Sequence, residues 1–161
     1  MKFINQKIGV FFWKLIVAFP INFQNVLANI LFSFLKNPDL KRNIFSRKNI
    51  DAAFPNLNKQ EKINLFNKNL KSMIRGIFDT GKAWFWSDSK INSLIKYEIF
   101  GLNKLIATKG NLLIFKHSHH LELDSRILGM HCELYGVERA HNSPFMQKVQ
   151  SMGRLKGLNA L

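Results

Sequence analysis

The sequence predicts an α/β domain that follows membrane-anchoring apolar helices. Three observations predict it. Phe and Trp crowd the stretch before residue 36. A long helical apolar stripe follows "FPNLNKQEK" at 54–62. From about residue 96, short apolar runs alternate with helical patterns, as in α/β folds. The expected division is 1–36 for the anchoring apolar and amphipathic helices and 37–161 for the α/β domain.

The chain has 161 residues, enough for one domain with a real core. Its 47% apolar content is too high for a disordered chain. A formal charge of +14 and a pI near 10.2 attract nucleic acid, anionic headgroups or acidic proteins. The single cysteine, Cys132, excludes an internal disulfide and a cysteine-rich zinc site.

The first apolar run, "IGVFFWKLIVAFPI" at 8–21, is broken by Lys14 and Pro20 and precedes no small-residue cleavage site, so it is not a secretory signal. A comfortable span needs roughly 20 apolar residues. This run spans only if Lys14 snorkels. In "INFQNVLANILFSFLK", Phe23, Val26, Leu27, Ile30, Leu31 and Phe34 recur at helical spacing opposite Asn22, Asn25, Asn29 and Ser33. Lys36, Lys41, Arg42, Arg47 and Lys48 then stand against Asp39 alone, as in a cytoplasmic flank facing anionic headgroups. The alternative is a helical pair packed on the core with a solvated basic loop. No nucleic-acid partner is expected, because the basic residues follow an apolar segment rather than interleave with stacking aromatics.

Asn58 and Glu61 form a capping-box pattern. Leu65, Phe66, Leu70, Met73, Ile74, Ile77 and Phe78 continue the helix into "GKAWFWSD", whose Trp84–Phe85–Trp86 cluster fits the core better than the alternative, an interfacial belt. "YEIFG" reads as a strand, "LNKLIATKG" as a short helix closed by Gly110, and "NLLIF" as a buried strand. "LELDSRILGMH" reads as helix, "YGVERA" as strand, and "SPFMQKVQSMGR" as a helix with Ser143 at its N-cap and Pro144 at N1.

The densest chemistry is "KHSHHLELDSR" at 116–126, at the end of "NLLIF", where α/β folds place their sites. A neutral histidine takes a proton from an alcohol more readily when a carboxylate fixes its tautomer. His117 with Glu122 and His119 with Asp124 have the same spacing, and spacing does not separate them. A metal reading, with His131 and His141 as further ligands, lacks the helical His-x-x-x-His pattern, and no metal is expected. The plainest alternative is a polar loop of solvated histidines.

"NLLIFKHSHHLELDSRILG" resembles the motif of the lipid A late acyltransferases, the lauroyl and myristoyl transferases of Gram-negative endotoxin synthesis. The family pattern aligns His117, Glu122 and Arg126 with its histidine, acid and arginine, which selects the His117 register. "NIDAAFPNLNKQEK", "GKAWFWSDSKI" and "VERAHNSPFMQKVQSMGR" are similar to further family segments. In the last, Arg139, His141 and Asn142 match, while Glu138 replaces a Tyr-like residue. Family members are about twice this length, which implies that only the N-terminal half is present.

The resemblance implies an enzyme that moves a fatty acyl group from acyl carrier protein to a hydroxyl of an anionic lipid A precursor. The place would be the cytoplasmic face of the bacterial inner membrane. His117 would be the general base and Glu122 its partner. Arg126 and Arg139 would bind the thioester oxyanion or phosphate, or form structural ion pairs. His141 and Asn142 would shape the pocket or cap the next helix. The acyl-carrier thioester is a substrate, and no cofactor is implied. The alternatives are another membrane glycerolipid acyltransferase and an inactive, truncated membrane-bound remnant.

Overall fold

The computed structural model describes residues 2–107 and 110–161. Among them the chain forms helices α1 (Lys2–Ala18), α2 (Ile21–Leu35), α3 (Lys41–Ala53), α4 (Lys59–Phe85), α5 (Asp88–Leu94), α6 (Leu102–Ala107), α7 (Leu121–Gly129) and α8 (Pro144–Arg154). Two compact units result. One holds α1 with Asp79–Leu161; the other is Phe19–Phe78.

The expected α/β domain is not formed. The described residues contain no sheet; their one β-contact is a parallel bridge between Tyr135 and Ala160. Segments 97–101, 111–115 and 135–140, read as strands, have no ladder. The apolar runs carry strand propensity, but a strand exists only when a second backbone takes its N–H and C=O groups. Leu112 and Ile114, expected to be buried, are 88% and 90% exposed.

The expected membrane-anchoring helices are also corrected. No described helix is long and apolar enough to cross a membrane. At 17 residues α1 measures about 25 Å, short of the roughly 30 Å hydrocarbon core, and Lys7 and Lys14 lie within it. Instead, α1 joins the core of its own unit. Val17 is fully buried and its carbonyl accepts from Trp86 Nε1 at 2.7 Å. The Trp13 ring meets Trp84 and Phe85 edge-on, at 5.4 and 5.3 Å between centroids. α1 also packs on α8, where the Ser143 hydroxyl donates to Gln6 Oε1 at 2.8 Å.

In the Phe19–Phe78 unit, Phe66, Leu70, Ile74 and Phe78 put the apolar face of α4 into the core. The helix starts as expected. Asn58 Oδ1 accepts from Glu61 N, and Glu61 Oε2 accepts from Asn58 N, closing the capping box. Asn43 is buried on α3, and its amide nitrogen donates to the carbonyls of Leu35 and Asn37, both at 2.6 Å. The α2 residues Phe23, Val26, Ile30 and Phe34 are exposed, whereas Gln24 and Ala28 are buried.

Gly81 marks the close approach of α1 to α4. A Cβ there would lie 2.7 Å from Val17 Cγ1 and 2.8 Å from Trp13 Nε1, closer than van der Waals contact. Gly81→Val is therefore expected to destabilise the fold by about 1–3 kcal/mol, the usual range for overpacking. Chemical denaturation followed by tryptophan fluorescence would show it. An unchanged midpoint would mean that α1 does not seat on α4.

Candidate functional site

The histidine turn leads directly into α7, with His120 as the residue before its first turn. The helix begins at Leu121, so Glu122 lies in that first turn and Arg126 in the last, as expected. The side chains then diverge from the spacing. His117 and His119 are exposed, and among the described residues no hydrogen bond joins His117 to Glu122 or His119 to Asp124. His120 has the carboxylate partner: its Nδ1 lies 2.6 Å from Asp79 Oδ2. The other Asp79 oxygen accepts from Lys82 Nζ at 2.7 Å. An ionised carboxylate only accepts, so His120 holds its proton at Nδ1 and presents Nε2 as the free acceptor when neutral. Asp124 lies close enough to feel this pair. Burial pushes its carboxyl upward, the His120 charge opposes that shift and Asp79 adds to it.

Glu122 is held elsewhere. Its Oε2 accepts from Trp84 Nε1 at 2.8 Å. Arg154 Nε lies 3.1 Å from both Glu122 oxygens, and a second Arg154 nitrogen donates to Oε1. The same guanidinium reaches Glu138 Oε2 at 2.6 Å. The hydrogen bond to Glu122 raises the Arg154 pKa most; burial opposes this, and Glu138 adds to the rise. Arg154 thus bridges two carboxylates and fastens α8 to α7.

Glu138, which replaces the Tyr-like residue of the resemblance, organises the start of α8. Its oxygens accept from Gln147 at 2.5 Å, Ser151 at 2.9 Å and Gln150 at 3.0 Å. Burial alone would raise its carboxyl. Hydrogen bonds from Gln150, Arg154, Ser151 and Gln147 outweigh this and bring it down to about 2.

The remaining expected residues are dispersed. Arg126 is buried and donates to Asp88 and, at 2.5 Å, to the Lys156 carbonyl. Arg139 and Asn142 are exposed. His141 works at the entry to α8: its Nδ1 accepts from Ser143 N at 3.0 Å, and its own N–H donates to Gln147 Oε1 at 2.5 Å. Ser143 is the cap itself, accepting from Met146 N, as its position before Pro144 predicts. Among the described residues, no group of three or more His, Cys, Asp or Glu could hold a metal ion.

Beside the Glu122–Arg154 pair opens a cavity of about 940 Å³. Leu112, Phe115, Leu121 and Val137 supply apolar walls, and Glu122 and Arg154 supply the charge. Sequence reading missed Asp79, His120 and Arg154. The Asp79–Lys82 pair has a local signal, opposite charges three apart on a helix. Asp79–His120 and Glu122–Arg154 join residues 41 and 32 apart, and no spacing rule finds them.

Comparison with known proteins decides the family. Residues 2–159 match the bacterial lipid A biosynthesis acyltransferase family. The chain belongs to it. A lipid A biosynthesis acyltransferase of Haemophilus influenzae is 34% identical over 155 residues, 92% of this chain and 49% of the relative. The Escherichia coli palmitoleoyltransferase of lipid A biosynthesis is 30% identical over 79% of this chain and 42% of its own length. The Escherichia coli lauroyltransferase is 29% identical over 92% and 49%. This family member spans about half the length of the curated relatives it matches. No solved structure matches it.

The depressed Glu138 carboxyl makes a signed prediction. Its folded pKa of about 2 lies below the ordinary 4.5. Its contribution to stability is therefore complete above pH 4.5 and is lost as pH falls toward 2. Glu138→Gln should lower the melting temperature at pH 7, and the gap from the parent should narrow as the buffer is taken from pH 5 to pH 2. A gap that stays constant would show that the charge of Glu138 contributes nothing.

Proposed function

We propose that this chain carries the acyl-transfer site of an enzyme of lipid A biosynthesis. It would move a fatty acyl group from acyl carrier protein to a hydroxyl of a lipid A precursor, at the cytoplasmic face of the inner membrane. The carrying observation is the apolar cavity beside the Glu122–Arg154 pair, close in sequence to the histidine turn, in a chain of this family. Apolar walls suit an acyl chain, and charged groups at one edge suit the polar thioester end.

In this reading His117, exposed on its turn, accepts the proton of the acceptor hydroxyl. The oxygen attacks the thioester carbonyl. The C–S bond breaks, and the carrier thiolate leaves with a proton returned from the imidazolium. Glu122 lends the imidazolium a negative field, which Arg154 weakens while it holds the carboxylate in place. Arg139, exposed, is the cation available to a phosphate of the acceptor. The net charge of +14 favours encounter with an acidic carrier protein and an anionic lipid.

The test is acyl transfer from a labelled acyl-carrier thioester to a lipid A precursor, comparing this chain, a full-length relative, His117→Ala and His120→Ala. His117→Ala is expected to reduce turnover by about 10²-fold or more, the usual contribution of a positioned base. Loss of turnover with His120→Ala alone would transfer the base role to the histidine that already has a carboxylate. A glycerolipid product, with none on lipid A precursor, would overturn the substrate reading.

A further inference from the structure

A second cavity, of about 310 Å³, lies wholly within the Phe19–Phe78 unit, between α3 and the first turns of α4. Arg47, Ile50 and Asp51 line it from α3, and Lys59, Lys62 and Ile63 from α4. Three cations thus face one carboxylate. That carboxylate is already engaged, since Asp51 Oδ1 lies 3.2 Å from Lys62 Nζ. Arg47 and Lys59 have no acidic partner among the described residues.

Arg47 lies over an aromatic ring. Its guanidinium carbon sits 4.7 Å from the centroid of the buried Phe66 ring. Stacking on an aromatic face orients the planar fork without using its N–H groups. The Arg47 Nε is buried and has no hydrogen-bond partner. A buried charged donor normally has an acceptor. A guanidinium with forked donors beside an ammonium matches the oxygens of a phosphate group. At about 310 Å³ the cavity has room for more than the four oxygens of orthophosphate. Ile50 and Ile63 would suit an apolar group attached to the phosphate.

We propose that this cavity binds a phosphate ester whose organic part is apolar, with Arg47 and Lys59 on the phosphate and Ile50 and Ile63 on the organic part. The site shares no residue with the histidine turn and does not depend on the acyl-transfer reading.

The experiment is a titration of the 161-residue chain with hexyl phosphate at constant ionic strength, read by backbone amide shifts at residues 47–51 and 59–63. Orthophosphate and sodium chloride are run beside it. Saturable shifts are expected with hexyl phosphate, weaker binding with orthophosphate and none with chloride. Arg47→Gln should weaken hexyl phosphate binding at least tenfold and Lys59→Gln severalfold. Lys48→Gln, a cation of α3 outside the cavity lining, should leave it unchanged. Shifts that never saturate, equal shifts with chloride, or unchanged affinity in both Arg47→Gln and Lys59→Gln would overturn the proposal. Should Arg47→Gln unfold the unit, the exposed Lys59 decides alone. Vesicles then separate the sources. Arg47-dependent binding to phosphatidate over phosphatidylcholine assigns a lipid phosphate, whereas hexyl phosphate binding with no vesicle preference assigns a soluble ester.

Discussion

One guanidinium, shared between two carboxylates, holds the region of the candidate site together. Arg154 takes Glu122 from the first turn of α7 and Glu138 from the irregular segment before α8. Trp84 adds its indole N–H to Glu122 from α4. Four separate stretches of chain therefore converge on one charge cluster. Two carboxylates this close would repel if left alone. The shared cation removes the repulsion, and the donors from Gln147, Gln150 and Ser151 share the charge that remains. A partly buried arrangement of this kind contributes less net stability than its short contacts suggest, because each ion gives up hydration. Its effect is specificity. Arg154 sets the last turn of α8 against Glu122 in the first turn of α7, and beyond α8 the carbonyl of Gly157 comes close to Gly129 at the end of α7.

Local chemistry was legible in the sequence, and long-range chemistry was not. The capping box of Asn58 and Glu61, the Ser143–Pro144 start of α8 and the long α4 stripe all formed as expected. Each depends on atoms within a few residues of one another. Gly110, expected to close α6, has a φ of +72°, which only glycine adopts freely. The strand expectation failed because an apolar run such as "NLLIF" specifies propensity, whereas a ladder requires a second backbone in register. The site shows the same division. His117, Glu122 and Arg126 have regular spacing on a turn and a helix, yet their side chains point to three different environments.

The N-terminal helices show why composition alone misled. Phe, Trp, Ile and Val are equally at home against lipid and in a protein core, so their concentration before residue 36 was ambiguous. Length and contacts separate the two. In α1, Trp13 and Val17 lie on the side that meets Trp84, Phe85 and Trp86, and Gly81 clears the space for them. The Ala-Trp-Phe-Trp stretch is therefore the floor on which α1 rests, and its Trp84 also reaches Glu122. One short sequence joins the packing of the first helix to the charge cluster of the site.

The histidine turn holds two different chemical situations that the motif alone would merge. His120 has what a general base is usually given: a carboxylate at Nδ1, a fixed tautomer and an open Nε2. His117 has the motif position but lacks that partner, because Glu122 is occupied by Arg154 and Trp84. A carboxylate neutralised by a guanidinium stabilises an imidazolium less than a free one does. For Glu122 to serve His117, Arg154 must loosen its hold, or the imidazolium must accept a weaker field. Asp79 has a related constraint, since Lys82 takes one of its oxygens and leaves the other for His120. Electrostatics therefore favour His120 for orientation of the turn, while access leaves His117 for the role of base in the proposed acyl transfer. The two roles are compatible. An Asp79–His120 bond that pins the turn to α4 would leave His117, three residues earlier and solvent-facing, free to meet substrate.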